Sequence, residues 1–188
     1  KLYKVEPHEH SYPVCWRCKS EIVFRLVPAW YIKTSEIKPK LIECANSVKW
    51  EPASNGKRMN DWLNNMGDWN ISRKRYYGMP LPFYPCDCGH ITVIGSKDEL
   101  REKAVDPAQV DALPELHRPW VDEVKIKCPH CGKEVSRVSD IGDVWLDAGI
   151  VPFSTLDYFT DRESWEKNFP AEWVTEMHEQ VRLWFYSM

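Results

Sequence analysis

Residues 21–27 run Glu-Ile-Val-Phe-Arg-Leu-Val, a nearly continuous apolar stretch closed by Pro28, and Ala29-Trp30-Tyr31-Ile32 carries it on. A short apolar run ending in proline predicts a strand. SEIKPKLIECANSVKW at 35–50 has helical spacing with Pro39 placed to interrupt it, and NDWLNNM at 60–66 predicts a short helical turn. Leu81 to Tyr84 reads as a strand. In SKDELREKAV at 96–105, Ser96 can cap a helix whose acids come early and bases late, as the helix dipole favours. Asp106 to Pro119 is a proline-marked connector. Val121 to Lys127 and Glu134 to Val138 predict two further strands, and Asp143-Val144-Trp145-Leu146 a short buried one. Residues 171–188 predict a helix with Trp173, Met177, Val181, Trp184 and Phe185 on one face. Strands alternating with helices indicate an α/β class.

Composition narrows the picture. The 188 residues are 43% hydrophobic and 28% charged, which suits a folded chain with a real core and excludes disorder. Ten Trp and fourteen Pro argue for aromatic packing among fixed turns and against a helical bundle. The formal net charge is −3, so any nucleic-acid contact must come from a local patch. No stretch approaches the roughly 20 apolar residues needed to cross a bilayer, and KLYKVEPHEH has no apolar signal core. A cytoplasmic protein without membrane contact is expected.

Six of the seven cysteines fall into close pairs: Cys15 with Cys18, Cys86 with Cys88, and Cys128 with Cys131. Without an export signal, metal binding is favoured over disulfides. Cys128-Pro-His-Cys131-Gly132 has knuckle spacing followed by a glycine free to take positive φ, and Cys86-Asp87-Cys88-Gly89 is the same device one residue shorter. Together they make a four-thiolate set suited to structural zinc. The other reading, four reduced core cysteines, fits poorly with the Asp, Gly, His and Lys neighbours. Cys15-Trp16-Arg17-Cys18 is half a site. It either joins Cys44 and a histidine such as His8 or His10, or finds partners elsewhere. Cys44 itself reads as a small buried hydrophobe.

Five stretches, in order, resemble the isoleucyl-tRNA synthetases and, more broadly, the Rossmann-type synthetases for branched aliphatic amino acids. HSYPVCWRC at 10–18 resembles the return from that family's editing insertion. DWNISRKRYYGMPLP at 68–82 is similar to W-x-I-S-R-x-R-Y-W-G-x-P-x-P, with Tyr77 where tryptophan is usual. ELHRPWVDEV at 115–124 is similar to the Leu-His-x-Pro-x-Val-Asp connector. DVWLDAGIVPF at 143–153 resembles Asp-Val-Trp-x-Asp-Ser-Gly with Ala148 for serine, and FPAEWVTEMHEQVRLWFYSM at 169–188 resembles Glu-Gly-x-Asp-Gln-x-Arg-Gly-Trp-Phe. The two ATP motifs of the family, His-x-Gly-His and Lys-Met-Ser-Lys-Ser, do not occur in the sequence, so residues 1–188 read as an internal piece, inactive alone.

The resemblance implies a partial Rossmann-type catalytic domain with an inserted zinc-ribbon-like loop. Residues 1–34 would be the return from the editing insertion, 35–85 and 140–188 catalytic parts, and 86–139 the zinc ribbon and connector. It implies an aminoacyl-tRNA ligase whose full-length form takes isoleucine, ATP with Mg2+, and tRNA; a monomer is expected. Spacing alone would make Trp145 and Trp184 core aromatics, whereas the motif makes them walls of the isoleucine side-chain pocket. Glu176 and Gln180 match positions that hold the aminoacyl-adenylate, and Glu179 stands where aspartate is common. The pair Cys15 and Cys18 would close a site with a knuckle lying upstream of the editing insertion. Arg73, Lys74 and Arg75 are either a tRNA phosphate contact or internal salt-bridge partners. His130 reads as the exposed residue of its knuckle, and His178 has no assigned role. Two alternatives stay open: a valyl or other branched-chain relative, and a non-catalytic zinc-ribbon module binding nucleic acid or protein.

Overall fold

A computed structural model describes all of residues 1–188. In chain order the elements are β1 (Tyr31–Ile32), α1 (Thr34–Ser47), α2 (Ala53–Asn65), β2 (Trp69–Asn70), β3 (Ser72–Arg73), β4 (Phe83–Pro85), β5 (Ile91–Val93), α3 (Lys97–Lys103) and α4 (Pro107–Asp111). There follow α5 (Trp120–Glu123), β6 (Lys125–Lys127), β7 (Glu134–Ser136), β8 (Ile141–Gly142), α6 (Val144–Gly149), α7 (Val151–Ser154), α8 (Arg162–Asn168), a 3-10 turn (His178–Arg182) and α9 (Trp184–Ser187). Helices and strands are mixed as expected. The strands pair only in antiparallel twos, β1 with β2, β3 with β8, β4 with β5 and β6 with β7, so no parallel sheet forms within these residues.

Two cores organise the chain. One comprises Ala45, Met59, Leu63, Met66 and Val181. Met59 and Leu63 on α2, and Met66 at its C-terminal end, recur at helical spacing and so pack on one side of α2. The Trp50 indole N–H donates to the Ala45 carbonyl at 2.8 Å, which satisfies one of the acceptors that a helix C-terminus leaves open. Pro39 does not break α1, because Ser35, the residue whose carbonyl loses its amide partner, is exposed to water. Cys44 corrects an expectation: it is exposed on α1, while Leu41, Ile42 and Ala45 turn inward.

The second core contains Tyr84, Cys86, Ile94, Leu100, Ala104, Val110, Val121, Val124, Ile126, Cys128 and Val135. It is built from two hairpins, β4–β5 and β6–β7, with α3 and α4 packed beside them. Ser96 caps α3 as its position suggests, its hydroxyl accepting the Glu99 N–H at 3.1 Å. Alternation places Tyr84, Thr92, Ile126 and Val135 inside, and their neighbours out.

Four predicted elements differ. Of Val121 to Lys127 only Lys125–Lys127 is a strand, the residues before it forming the helical turn α5. The stretch 21–27 forms no strand beyond the bridge Val14↔Glu21, and Phe24 and Leu26 are 87% and 101% exposed, since a single apolar segment without a pairing edge gains nothing from extension. The Asp143-to-Leu146 run is helical: the Asp143 carboxylate accepts the Trp145 N–H at 3.3 Å and starts α6. Residues 171–177 are irregular, and only the 3-10 turn and α9 follow, with Trp173 73% and Met177 68% exposed.

Candidate metal centre and surrounding functional residues

The β4–β5 and β6–β7 hairpins each end in a cysteine knuckle, and the two knuckles meet. Cys86 N–H donates to the His90 carbonyl at 2.8 Å and Gly89 N–H to the Cys86 carbonyl at 2.9 Å. On the other side Cys128 N–H donates to Lys133 and Gly132 N–H to Cys128, each at 2.8 Å. Gly89 and Gly132 have φ of 87° and 74°, the left-handed region in which a side chain is strained. The one-residue-shorter spacing of the first knuckle therefore still closes the same kind of turn.

The Sγ atoms of Cys86, Cys88, Cys128 and Cys131 all lie within 4.8 Å of one another, with Cys86–Cys131 at 3.4 Å and Cys88–Cys128 at 3.7 Å. All four are free thiols. A tetrahedron with metal–sulfur bonds of about 2.3 Å has sulfur–sulfur edges of about 3.8 Å, so the arrangement fits a metal ion closely. Proton sharing among the thiols is uneven. For Cys128, burial opposes ionisation, but backbone N–H groups of Cys131 and His130 and the Cys131 and Cys86 thiols outweigh it and bring the group down to about 7. For Cys86, the Cys88 N–H favours the thiolate, yet burial and the neighbouring thiols hold it up at about 12. Cys86 and Cys128 are buried within the core, while Cys88 and Cys131 are exposed. The set can hold a metal ion.

Cys15 and Cys18 form a third knuckle. Cys15 N–H donates to the Ser20 carbonyl and Lys19 N–H to the Cys15 carbonyl, both at 2.8 Å, which repeats the Cys128 pattern position for position. Lys19 takes φ 62° where Gly132 stands in the other knuckle. Hydrogen bonds from the Ser20 hydroxyl and backbone N–H, then from Cys15, lower the Cys18 thiol to about 7. No histidine, carboxylate or further cysteine completes a cluster here, so neither Cys44 nor His8 or His10 supplies the missing ligands. His8 and His10 stack on one another at 5.8 Å.

Asp143 is a second organising group, one that the sequence reading took only as the start of a strand. Its Oδ2 accepts Arg73 at 2.6 Å and the Trp69 indole at 3.1 Å. Arg73 also donates to the Asn70 and Ser72 carbonyls, and Lys74 pairs with Asp140 at 3.1 Å. The basic cluster thus divides: Arg73 and Lys74 are internal partners, and Arg75 stays exposed without an ion pair. A further node, also missed, is Asp122, which accepts Arg118 at 2.6 Å and binds the Arg137 guanidinium. Burial raises the Asp122 carboxyl, but hydrogen bonds from Arg137 and Arg118 and their charges pull it below the ordinary carboxylate range.

α6 and α9 pack against each other. Trp145 lines a small cleft of about 110 Å³ with Trp62, Trp69, Arg182, Leu183, Tyr186 and Ser187. Trp184 lies outside that lining, half-buried, its indole N–H donating to the Ala148 carbonyl at 2.9 Å. Gly149 makes the crossing possible, since a Cβ there would sit 2.3 Å from the Ser187 carbonyl oxygen. Glu176 and Glu179 are exposed, and Gln180 Oε1 accepts the Trp184 N–H at 3.2 Å. His178 Nε2 lies 2.9 Å from Arg58.

A sequence profile described as tRNA synthetases class I (I, L, M and V) matches residues 5–188. The chain belongs to that family, whose domain is of the Rossmann type. Among curated relatives, the isoleucine–tRNA ligases of Clostridium novyi and Methanopyrus kandleri are each 43% identical to it, over 190 and 194 residues. That of Saccharolobus solfataricus is 40% identical over 182 residues. The alignments cover 100%, 95% and 95% of this chain respectively, and the chain spans 18% of the length of each relative. No helix is long and apolar enough to cross a membrane.

Proposed function

We propose that these residues serve an isoleucine–tRNA ligase, which activates isoleucine with ATP to the adenylate and passes the acyl group to tRNA. The observation that carries this reading is 43% identity over all of the chain to relatives of that name. The zinc-ribbon-like part is the pair of knuckled hairpins around Cys86, Cys88, Cys128 and Cys131, with zinc as the ion, because four thiolates in a closed set suit a structural tetrahedral metal. Its role is to fix an insertion that closes on a small core. Cys15 and Cys18 supply half of a second zinc site. Trp145 and Trp184 form walls of the side-chain pocket, with Glu176, Glu179 and Gln180 facing the adenylate. Arg75 is the tRNA-facing member of the basic cluster. Catalysis in such an enzyme is positioning and charge stabilisation, to which ATP-bound Mg2+ contributes.

The experiment is isoleucine-dependent ATP–pyrophosphate exchange by the complete enzyme that carries these residues. Exchange with isoleucine, weaker by about two orders of magnitude with valine, is expected, since one methylene is worth only ~1–3 kcal/mol. A preference for valine would transfer the assignment to a valyl relative. The metal reading is checked separately: the purified chain should hold zinc tightly, and Cys131→Ser should release that bound to the four-thiolate set while the α1–α2 core stays folded. Full retention would remove the four-thiolate assignment.

A further inference from the structure

Next to the basic cluster in the chain lies an exposed aromatic surface. Tyr77 is 79% exposed and Tyr76 46% exposed. The two rings meet edge to face at 5.2 Å, and the His117 ring lies 5.6 Å from Tyr77, tilted by only 31°. His117 Nδ1–H donates to the Arg118 carbonyl at 2.8 Å, which fixes the orientation of its ring. Arg118 sits over the Tyr76 ring at 5.3 Å and donates to the Arg75 carbonyl at 3.2 Å, tying the connector to the turn.

The turn is held firmly. Gly78 has φ 140°, and a Cβ at that position would lie 2.5 Å from Ile141 Cδ1, so the backbone beside Tyr77 is seated directly on β8. A tyrosine kept for packing would bury its ring; Tyr77 instead presents most of it to solvent on a rigid support. A flat ring face flanked by a second ring and an unpaired cation is the surface that stacks an unpaired nucleobase and meets its phosphate.

We propose that Tyr77 and His117 form a stacking platform for an unpaired RNA base, with Arg75 placed for the adjoining phosphate. This rests on the tRNA reading and adds to it the site and the single-stranded form of the ligand. A protein partner would want an apolar pocket; here the exposed rings are amphipathic, and Arg75, two residues before Tyr77 in the chain, is exposed and makes no ion pair.

The probe is a short single-stranded RNA carrying one 2-aminopurine, compared with the same strand in a blunt duplex, titrated against the full chain. Fluorescence quenching and tighter binding of the single strand are expected. Tyr77→Ala should weaken binding about five- to hundred-fold with an unchanged melting temperature, as one stacked base is lost. Tyr77→Trp should retain it, because a flat face remains. Arg75→Gln should lower the salt slope by about 0.7. Equal binding of single strand and duplex, no binding of the single strand, or wild-type affinity in Tyr77→Ala would each overturn the platform. If tRNA still binds while Tyr77→Ala is silent, the platform alone falls; isoleucine exchange by the complete enzyme judges the ligase reading independently.

Discussion

Replacing Asp122 with alanine should cost far more stability than its half-exposed position suggests. The Arg137 side chain is 1% exposed, and Asp122 is the only carboxylate with which it makes an ion pair. Arg137 also donates to the carbonyls of Leu81 at 2.9 Å and Asp140 at 3.0 Å, so it cannot turn towards water without abandoning both. Arg118, the other partner of Asp122, is 22% exposed and can recover hydration. The loss is therefore dominated by one buried guanidinium left without an anion, roughly 3–5 kcal/mol. In a domain of this size about 2–4 °C is lost per kcal/mol, which gives a fall in melting temperature of about 6–20 °C at neutral pH. The pH dependence has a definite sign. The folded-state pKa of Asp122 is depressed, so the pair contributes fully above the unfolded value of about 3.9 and is lost as pH falls through the folded value. The gap between parent and variant should narrow as the pH is lowered below about 4. Thermal melts followed by circular dichroism measure it. A shift of less than about 2 °C at neutral pH, or a gap indifferent to acid, would refute the reasoning.

Gly132→Ala should weaken metal retention without a clash: nothing lies within 4 Å of the added Cβ, but φ 74° costs a side chain about 1–2 kcal/mol, readable by chelator competition. Gly149→Ala should act the opposite way, leaving the metal in place but parting α6 from α9, seen as changed tryptophan fluorescence. Trp184→Ala in the complete enzyme should raise the isoleucine KM and leave the ATP KM nearly unchanged. Lost thermal stability with an unaltered isoleucine KM would return Trp184 to the core. Cys18→Ser should leave the metal held by the four-thiolate set untouched, and release of that metal would contradict two separate sites.

How much of this could be read in advance depended on how local the cause was. Knuckles are local: two thiols and a glycine within five residues dictate the turn, so the Cys86 and Cys128 turns were legible from spacing, including the short Cys-x-Cys form. The Ser96 cap was legible for the same reason. Residues 21–27 and 171–177 were not, because an apolar pattern states a capacity to bury and does not supply the surface that buries it. Without such a surface within these residues, Leu26 and Trp173 stay exposed, at 101% and 73%, and the predicted strand and full-length helix do not form. Asp143 misled in another way: a carboxylate before Val-Trp-Leu reads as strand flank by hydropathy, whereas its bonds to the Trp145 N–H, Arg73 and Trp69 make it a cap and a junction. Only tertiary structure could place Arg137 opposite Asp122.

These causes converge on β4. At one end the Leu81 carbonyl takes a hydrogen bond from buried Arg137; at the other Cys86 joins the four-cysteine cluster. Between them Tyr84, 1% exposed, is packed so that burial chiefly holds its phenol at about 12, with Arg137 lowering it and Asp122 raising it by smaller amounts. A strand of three residues has too few ladder hydrogen bonds to keep its own register. With a metal ion bound, two tethers of different chemistry, one electrostatic and one metallic, would fix both ends, and they would fail under different conditions: acid protonates Asp122, whereas a chelator would open the knuckles. Because Cys86 and Cys128 belong to the core as well as to the four-cysteine cluster, release of a metal held there should loosen apolar packing around Tyr84 and Ile126 while leaving the Arg137 end of the strand anchored. The hairpin tips should therefore exchange their amide hydrogens first after chelation, ahead of Leu81.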